Sequence, residues 1–136
     1  MGRRFFQDPG LGKPEFLRTA KQVFDYLHDM RTLPKEHLRG LYLDNRFRLV
    51  HDEVISIGGL DANLVHPREV FKPALDHGAS AVILAHNHPS GSAEASDADR
   101  AVTAQLVEAG RILGIHVLDH IIIARHSFAC VPADYS

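Results

Sequence analysis

The apolar residues of the chain change along its length from helical to extended spacing. Over residues 14–30 they recur at steps of three and four, which predicts an amphipathic helix. The apolar stripe of this helix consists of Phe16, Ala20, Val23, Phe24 and Leu27. Residues 38–43 and 47–57 have the composition of strands and flank a turn at Asp44-Asn45. The first part of the chain therefore predicts a helix followed by an antiparallel hairpin.

Four more elements are predicted from the pattern further along. Proline near the start of residues 66–75, followed by one apolar face, predicts a short second helix. Residues 79–85 form a nearly continuous apolar run of strand length, which is typical of a central strand buried on both faces. Residues 115–123 are the most β-branched run and predict another central strand, and a last short strand is expected over residues 127–131.

A third helix has clear start and stop signals. Ser96 is a good N-cap, and Asp97 and Asp99 suit the first turn, where the helix dipole favours negative charge. Gly110 and Gly114 are expected to bring this helix to an end. The resulting order is α-β-β-α-β-α-β-β without an internal repeat. It predicts a mixed α/β (α+β) fold in which helices flank one sheet.

Composition limits the kind of site that the chain can build. Its 136 residues, 45% of them apolar and 24% charged, are typical of one soluble globular domain. The formal net charge of −2 gives no sign of a nucleic-acid or anionic-membrane surface. Cys130 is the single cysteine, which excludes a cysteine-built zinc site and fits a reducing compartment. Any transition metal would therefore be held by carboxylates and by some of the ten histidines.

The chain shows one domain preceded by a short arm. Residues 1–13 border two Pro/Gly turn signals and lack periodicity, so we predict a flexible N-terminal arm and a single domain over residues 14–136. Neither a signal-peptide run nor a stretch of about 20 apolar residues is present. These features predict a cytoplasmic protein without a membrane segment, and they leave open whether it forms a homo-oligomer.

The polar cluster between the predicted central strand and the third helix carries the most chemistry. His86 and His88 are two residues apart at the end of an extended segment, so their side chains point to the same side. Ten residues separate His88 from Asp99, which is enough for a loop to return and present a carboxylate. Two imidazoles and one carboxylate favour zinc with a fourth position open to water, an arrangement more typical of catalytic than of structural sites.

Spacing alone leaves other interpretations of these residues open. A base that activates water would be a glutamate outside the ligand set. The candidates near element ends are Glu36, Glu53, Glu69 and Glu94, and spacing does not choose among them. Asp99 also fits as a first-turn acid, and Ser90 and Asn87 fit as turn formers. The other histidines have no ligand-spaced partner, although Asp119-His120 inside a predicted strand is an exception to follow.

The cluster resembles a known zinc motif. HNHPSG from His86, followed by Ser96-x-x-Asp99, is similar to the motif of the JAB/MPN (JAMM) metalloprotease superfamily. Three stretches in order resemble the RadC family of bacterial JAB-domain proteins: HPREVFK from His66, HNHPSG, and GIHVLDHII from Gly114. The resemblance extends from about Glu36 to the C-terminus. It implies a JAB/MPN-like (cytidine-deaminase-like) fold.

The resemblance also implies roles for individual residues. It implies one Zn²⁺ per chain, held by His86, His88 and Asp99. Glu36, in the context LPKEHLRGL before the first core strand, is the implied catalytic base. Ser90 is implied to stabilise the oxyanion of a tetrahedral intermediate. The family resemblance places Asp119 and His120 near the metal without making them ligands.

Three functions remain in competition at this point. The first is a zinc metallohydrolase, a peptidase or isopeptidase, that cleaves an amide bond. The second is a DNA-repair or DNA-processing accessory of RadC type, which the net acidity disfavours, as does the expected absence of the helix-hairpin-helix module of longer relatives. A local basic patch could still come from Arg3, Arg4, Arg46 and Arg48. The third is a non-catalytic interaction module, disfavoured because every motif position is filled.

Overall fold

The computed structural model describes residues 15–61 and 63–136, so the predicted arm over residues 1–13 lies outside the described residues. Three α-helices and five strands follow the predicted order, with one 3-10 helix after the first α-helix. The elements are α1 (Ala20–Tyr26), the 3-10 helix (His28–Thr32), β1 (His37–Leu43), β2 (Leu49–Ile57), α2 (Pro67–Asp76), β3 (Ala81–Asn87), α3 (Asp97–Leu113), β4 (His116–Ile123) and β5 (Phe128–Cys130). The mixed α+β class is confirmed and is consistent with a JAB/MPN-like fold.

The five strands form one mixed sheet in the order β2-β1-β3-β4-β5. β1 and β2 form the predicted antiparallel hairpin, and β1 also pairs antiparallel with β3. β3 and β4 are parallel, and α3 makes the crossover between them. All seven residues of β3 are buried, which confirms it as the central strand of the sheet.

Alternation along β3 divides the core into two layers. Val82 and Leu84 belong to the layer that contains α2 and α3, whereas Ile83 and Ala85 belong to the layer that contains α1. The helical members of the first layer include Val70, Phe71, Val102, Leu106 and Val107. Those of the second include Val23 and Phe24. At the end of the strand, this alternation sends consecutive polar side chains to opposite faces of the sheet.

The prediction of a helix over residues 14–30 is wrong at its start. Phe16 forms an isolated antiparallel bridge with Arg48, so the chain is extended there. The helix begins at Ala20, where Thr19 and Gln22 make a capping box. The N–H of Leu17 donates to the carbonyl oxygen of Phe47, and the N–H of Leu49 donates to that of Glu15, so pairing with the start of β2 overrides the helical spacing of the apolar residues.

The prediction that Gly110 helps to end the third helix is also wrong. α3 continues through Gly110 to Leu113, and Gly114, in the left-handed region at φ 74°, forms its C-cap. A Cβ atom at position 110 would lie 2.4 Å from the carbonyl oxygen of Ile115, so this glycine allows a close approach between α3 and the chain that enters β4. Within the described residues, no helix is both long and apolar enough to cross a membrane.

Candidate metal centre

The candidate centre lies where β3 ends and α3 begins. His86 is completely buried on the α3 side of the sheet, and His88 follows just beyond the strand. The Nε2 atoms of the two rings are 2.8 Å apart. The sequence-based expectation that strand geometry directs both side chains to one side therefore agrees with their positions.

Asp99 contacts both histidines from the first turn of α3. Its Oδ1 is 3.1 Å from Nε2 of His86, and its Oδ2 is 3.1 Å from Nε2 of His88. The same residue closes a capping box with Ser96, accepting the backbone N–H of Ser96 at 2.8 Å and donating its own N–H to Oγ at 3.0 Å. The capping box thus fixes the position of the carboxylate that faces the two rings, and Asp99 has both the role of a cap and that of a candidate ligand.

Glu36 approaches the histidines from the residue before β1. One of its carboxylate oxygens and one ring nitrogen from each of His86 and His88 lie within 4.8 Å of one another. This proximity follows from strand pairing, because Leu38 of β1 is the register partner of His86. Glu36 and Asp99 therefore each lie close to the two histidines, and the ligand atoms that lie within 4.8 Å of one another are those of Glu36, His86 and His88.

Asn87 fixes the segment that carries Glu36. This amide is buried on the opposite face of the sheet from His86. Its Oδ1 accepts the N–H of His37 at 2.7 Å, and its Nδ2 donates to the carbonyl oxygen of Lys35 at 3.0 Å. These two bonds hold the backbone on both sides of Glu36. The interpretation of Asn87 as a local turn former is wrong, because its partners lie some 50 residues away in sequence.

The hydrogen bonding of His88 directs one ring nitrogen, Nε2, toward the other candidate ligands. Its Nδ1 lies 2.8 Å from the carbonyl oxygen of Ser92, which can only accept, so Nδ1 carries the proton. In the neutral ring, the Nε2 lone pair then points at Asp99 and His86. This is the usual arrangement of a metal-ligating histidine, whose second nitrogen is held by a backbone carbonyl. The donor set of nitrogen and carboxylate oxygen fits zinc.

The electrostatics of the centre favour a bound cation. Hydrogen bonding to Asp99 raises the pKa of His88 above its ordinary value. Burial alone would raise the pKa of Asp99, but contacts with His86, His88 and the Ser96 N–H hold the pKa of this carboxyl well below its usual range. Asp99 is therefore an anion at neutral pH and attracts positive charge to the two ring nitrogens.

An open cleft of about 570 Å³ gives access to these side chains. Residues that line it include Glu36, Leu60, His88, Ser90, Ser96 and Asp99. The Oγ of Ser90 accepts a long hydrogen bond of 3.4 Å from the N–H of Ser92. Ser96 is bonded directly to Asp99. A substrate can thus reach the centre along a cleft that is lined by three serines, Ser90, Ser92 and Ser96.

The other candidate glutamates lie in different surroundings. Glu53 is on β2 and contacts Nε2 of His51 at 2.8 Å, and Glu69 is exposed in the first turn of α2. Glu94 is exposed and lines the same cleft as Glu36. Of the four glutamates, only Glu36 has a carboxylate oxygen within 4.8 Å of ring nitrogens of both His86 and His88, within residues 15–61 and 63–136.

Two buried residues lie behind the centre: His120, which the resemblance implies to be near the metal, and Thr103, which the sequence motifs do not identify. Nε2 of His120 lies 2.7 Å from Nδ1 of His86, and Nδ1 of His120 lies 2.6 Å from the hydroxyl of Thr103. The pair Asp119-His120 inside a strand was a weak signal for this contact. Nothing in the spacing of Thr103 indicated it, because the contact depends on how α3 packs on the sheet.

Comparison with known proteins agrees with the resemblance seen in the motifs. The family described as RadC-like JAB domain matches residues 17–133. A UPF0758 protein of Methanococcoides burtonii is 56% identical over 108 residues, which cover 79% of this chain and 47% of the relative. A UPF0758 protein of Syntrophomonas wolfei is 47% identical over 137 residues, covering 98% and 58%. One from Bacillus cereus is 50% identical over 113 residues, covering 82% and 50%.

The chain spans about half the length of the curated relatives that it matches. The match to the family covers nearly all of the described residues, including both histidines, Asp99 and Glu36. The motifs, the mixed sheet and this match agree with one another, and the chain therefore belongs to the RadC-like JAB domain family.

Proposed function

We propose that the protein is a zinc-dependent metallohydrolase that cleaves an amide bond, in a peptide or an isopeptide. The observation that carries the proposal is that Glu36 and Asp99 each approach both His86 and His88 at the wall of an open cleft. Such a set is costly to place together without a function, because buried nitrogen and carboxylate groups must lose their hydration. A cation bound between them compensates for that loss.

His86, His88 and Asp99 would hold the ion and leave the cleft side of the site open. Zinc in a site of this kind lowers the pKa of a bound water to about 7 and polarises a carbonyl group. The chain contributes the fixed geometry of the ligands: the strand orients the two rings, and the capping box orients the carboxylate.

Glu36 is proposed as the general base and acid. Its carboxylate lies within 4.8 Å of the two ring nitrogens without being bonded to them, so it is close to the reacting position and free to exchange a proton. It would accept a proton from the attacking water and then deliver it to the nitrogen of the leaving amine. Asn87 supports this role by fixing the backbone around Glu36.

Ser90 is proposed to donate a hydrogen bond to the oxyanion of the tetrahedral intermediate, as the family resemblance implies. Ser96 faces the same cleft, and because its Oγ accepts the N–H of Asp99, its hydroxyl proton is free to donate. The variants Ser90→Ala and Ser96→Gly, the latter retaining an acceptable N-cap residue, distinguish the two donors. The variant that removes the donor should lower kcat by about 10²–10³.

The decisive experiment is a cleavage screen over peptide and isopeptide libraries with zinc-loaded protein. Glu36→Gln is the control, because it keeps the size of the side chain and leaves the three ligands in place. We expect wild type to cleave at least one substrate class, and Glu36→Gln to bind zinc and cleave nothing. If purified wild type cannot bind zinc, the hydrolase proposal is wrong.

Two further outcomes separate the alternatives. Cleavage that survives in Glu36→Gln would transfer the base role to Glu94, which lines the same cleft. Zinc binding without cleavage, combined with salt-dependent binding to duplex or single-stranded DNA, would support the DNA-processing alternative. The hydrolase proposal predicts neither outcome.

A further inference from the structure

A chain of buried hydrogen bonds leads away from the candidate centre toward α3. It starts at Nδ1 of His86, which lies 2.7 Å from Nε2 of His120. It continues from Nδ1 of His120 to Oγ1 of Thr103, at 2.6 Å, and from Oγ1 to the carbonyl oxygen of Asp99, at 2.7 Å. His86, His120 and Thr103 are each 0% exposed, so water does not compete for these bonds.

The carbonyl oxygen of Asp99, at the end of this series of hydrogen bonds, decides which atoms donate and which accept. The carbonyl oxygen of Asp99 can only accept, and the hydroxyl of Thr103 has one proton to donate. With both contacts shorter than 2.8 Å, the favourable arrangement has Oγ1 donating to the carbonyl of Asp99. Oγ1 must then accept a proton from Nδ1 of His120. The opposite arrangement would bring two oxygen lone pairs together at 2.7 Å in a buried site.

This direction determines which nitrogen of each ring carries a proton. A neutral His120 that donates through Nδ1 has a lone pair on Nε2, which accepts the N–H at Nδ1 of His86. A neutral His86 with its proton on Nδ1 has its Nε2 lone pair directed at Asp99 and His88, where a bound cation would lie between the three acceptors. If the chain ran the other way, Nε2 of His86 would carry a proton and would be unable to bind a cation.

We propose that Thr103 and His120 are positioning residues that hold His86 in the tautomer with its proton on Nδ1, so that Nε2 is available to a divalent metal ion. The functional meaning of this inference rests on the proposed metal centre. The hydrogen bonds themselves do not depend on a bound metal, because they involve Nδ1 of His86, on the side of the ring away from the candidate centre.

The choice of histidine as the acceptor has a physical reason. An imidazole that donates through Nδ1 to Thr103 can accept through Nε2 from His86, and both contacts have hydrogen-bond distances. A carboxylate at this position would place a second buried anion beside Asp99. An imidazole acceptor orients His86 without adding a second buried carboxylate.

The first test reads the tautomers directly in the metal-free protein. Side-chain ¹⁵N NMR at about pH 8, above the ordinary pKa of histidine, assigns the protonated nitrogen of each ring. We expect wild type to show His86 and His120 both protonated on Nδ1. A His86 protonated on Nε2 in the wild type overturns the proposal without any variant being needed.

The second test removes the hydrogen bonds of the Thr103 hydroxyl, using a matched pair of variants. Thr103→Val keeps the shape and removes the hydroxyl, and Thr103→Ser keeps the hydroxyl and removes a methyl group. With zinc alone as the probe, competition against a chelator should show affinity reduced about 10- to 100-fold in Thr103→Val and close to wild type in Thr103→Ser. His120→Gln, which offers an amide oxygen to His86, should retain more affinity than His120→Leu.

The NMR and zinc-binding results can reject the positioning role and the hydrolase function independently of each other. Equal zinc affinity in Thr103→Val and wild type, with an unchanged His86 tautomer, would show that the two residues only fill space. Failure of wild type to bind zinc or to hydrolyse any substrate, with the expected tautomers in the NMR spectrum, would reject the hydrolase and leave the positioning chain in place. Thermal unfolding of each metal-free variant separates a loss of affinity from a loss of fold.

Discussion

The protein contains two histidine pairs that differ in how their rings meet. At the candidate centre, the rings of His86 and His88 are 4.7 Å apart between centroids and inclined by 62°. On the surface beside β2 and α2, the rings of His51 and His77 are 3.7 Å apart and inclined by only 11°. Nε2 of His51 also lies 2.8 Å from Oε1 of Glu53, so a carboxylate lies close to each pair.

Ring orientation distinguishes the two pairs as candidate sites for a shared ion. The lone pair of an imidazole nitrogen lies in the plane of its ring, so stacked rings direct their lone pairs side by side. Edge-to-face rings can direct them at one point, and the two Nε2 atoms of the buried pair are 2.8 Å apart. Residue types and a nearby carboxylate therefore do not make a metal site without convergent geometry.

The largest expected difference between the two pairs is in metal content. Wild-type protein should carry about one zinc ion per chain, and His86→Ala or Asp99→Ala should carry none, because each variant removes a ligand. The double variant His51→Ala, His77→Ala should keep the wild-type stoichiometry. Elemental analysis of purified protein checks this. Loss of zinc from the surface double variant would contradict the comparison.

The next effect concerns the stability that zinc adds. Free zinc at 100 times its Kd should raise the free energy of unfolding by about 2.7 kcal/mol, because the ion binds the folded chain. Asp99→Asn keeps an oxygen to accept the N–H of Ser96 but loses the charge, so most of this gain should disappear. Urea unfolding with and without zinc measures it. The His51→Ala, His77→Ala protein is the control and should gain as much as wild type.

A smaller effect is expected from Asn87, which lies on the opposite face of β3 from His86. Asn87→Ala leaves the N–H of His37 and the carbonyl oxygen of Lys35 without their partner and should lower the free energy of unfolding by about 1–3 kcal/mol. The three proposed ligands are unaffected, so zinc should still bind while cleavage falls. Chemical denaturation and zinc titration measure the two effects. A variant that lost zinc instead would show that Asn87 positions the ligands as well as Glu36.

The smallest effect should come from the surface pair. His77 is exposed, so His77→Ala should change the free energy of unfolding by less than about 1 kcal/mol through loss of the stack with His51. Thermal unfolding at fixed protein concentration tests this. A change of several kcal/mol would mean that the stacked pair supports the fold as strongly as buried polar groups do.

Some of the centre could be predicted from local sequence. The apolar run over residues 79–85 predicted the buried strand, and the two-residue spacing predicted that His86 and His88 share a side. The Ser96 cap predicted where α3 begins, and this placed Asp99 in its first turn. Each of these inferences depends on contacts within a few residues, which is the range over which strand and helix geometry is fixed.

The other features of the candidate centre depended on pairing between segments that are distant in sequence. Among the four candidate glutamates, only the family resemblance selected Glu36, and its proximity to His86 comes from the pairing of β1 with β3. The same kind of long-range pairing extended residues 15–17, which the apolar spacing predicted to be helical.

The sequence by itself determined the order of elements, the buried central strand, and two histidines and an aspartate placed to meet. Only the tertiary structure decided the acceptor behind His86, the amide that holds the Glu36 segment, and the difference between the convergent and the stacked histidine pairs. The physical reason is that hydrogen bonds depend on direction. Periodicity sets the face on which a side chain lies, but packing of the helices on the sheet sets the direction of its lone pairs and protons.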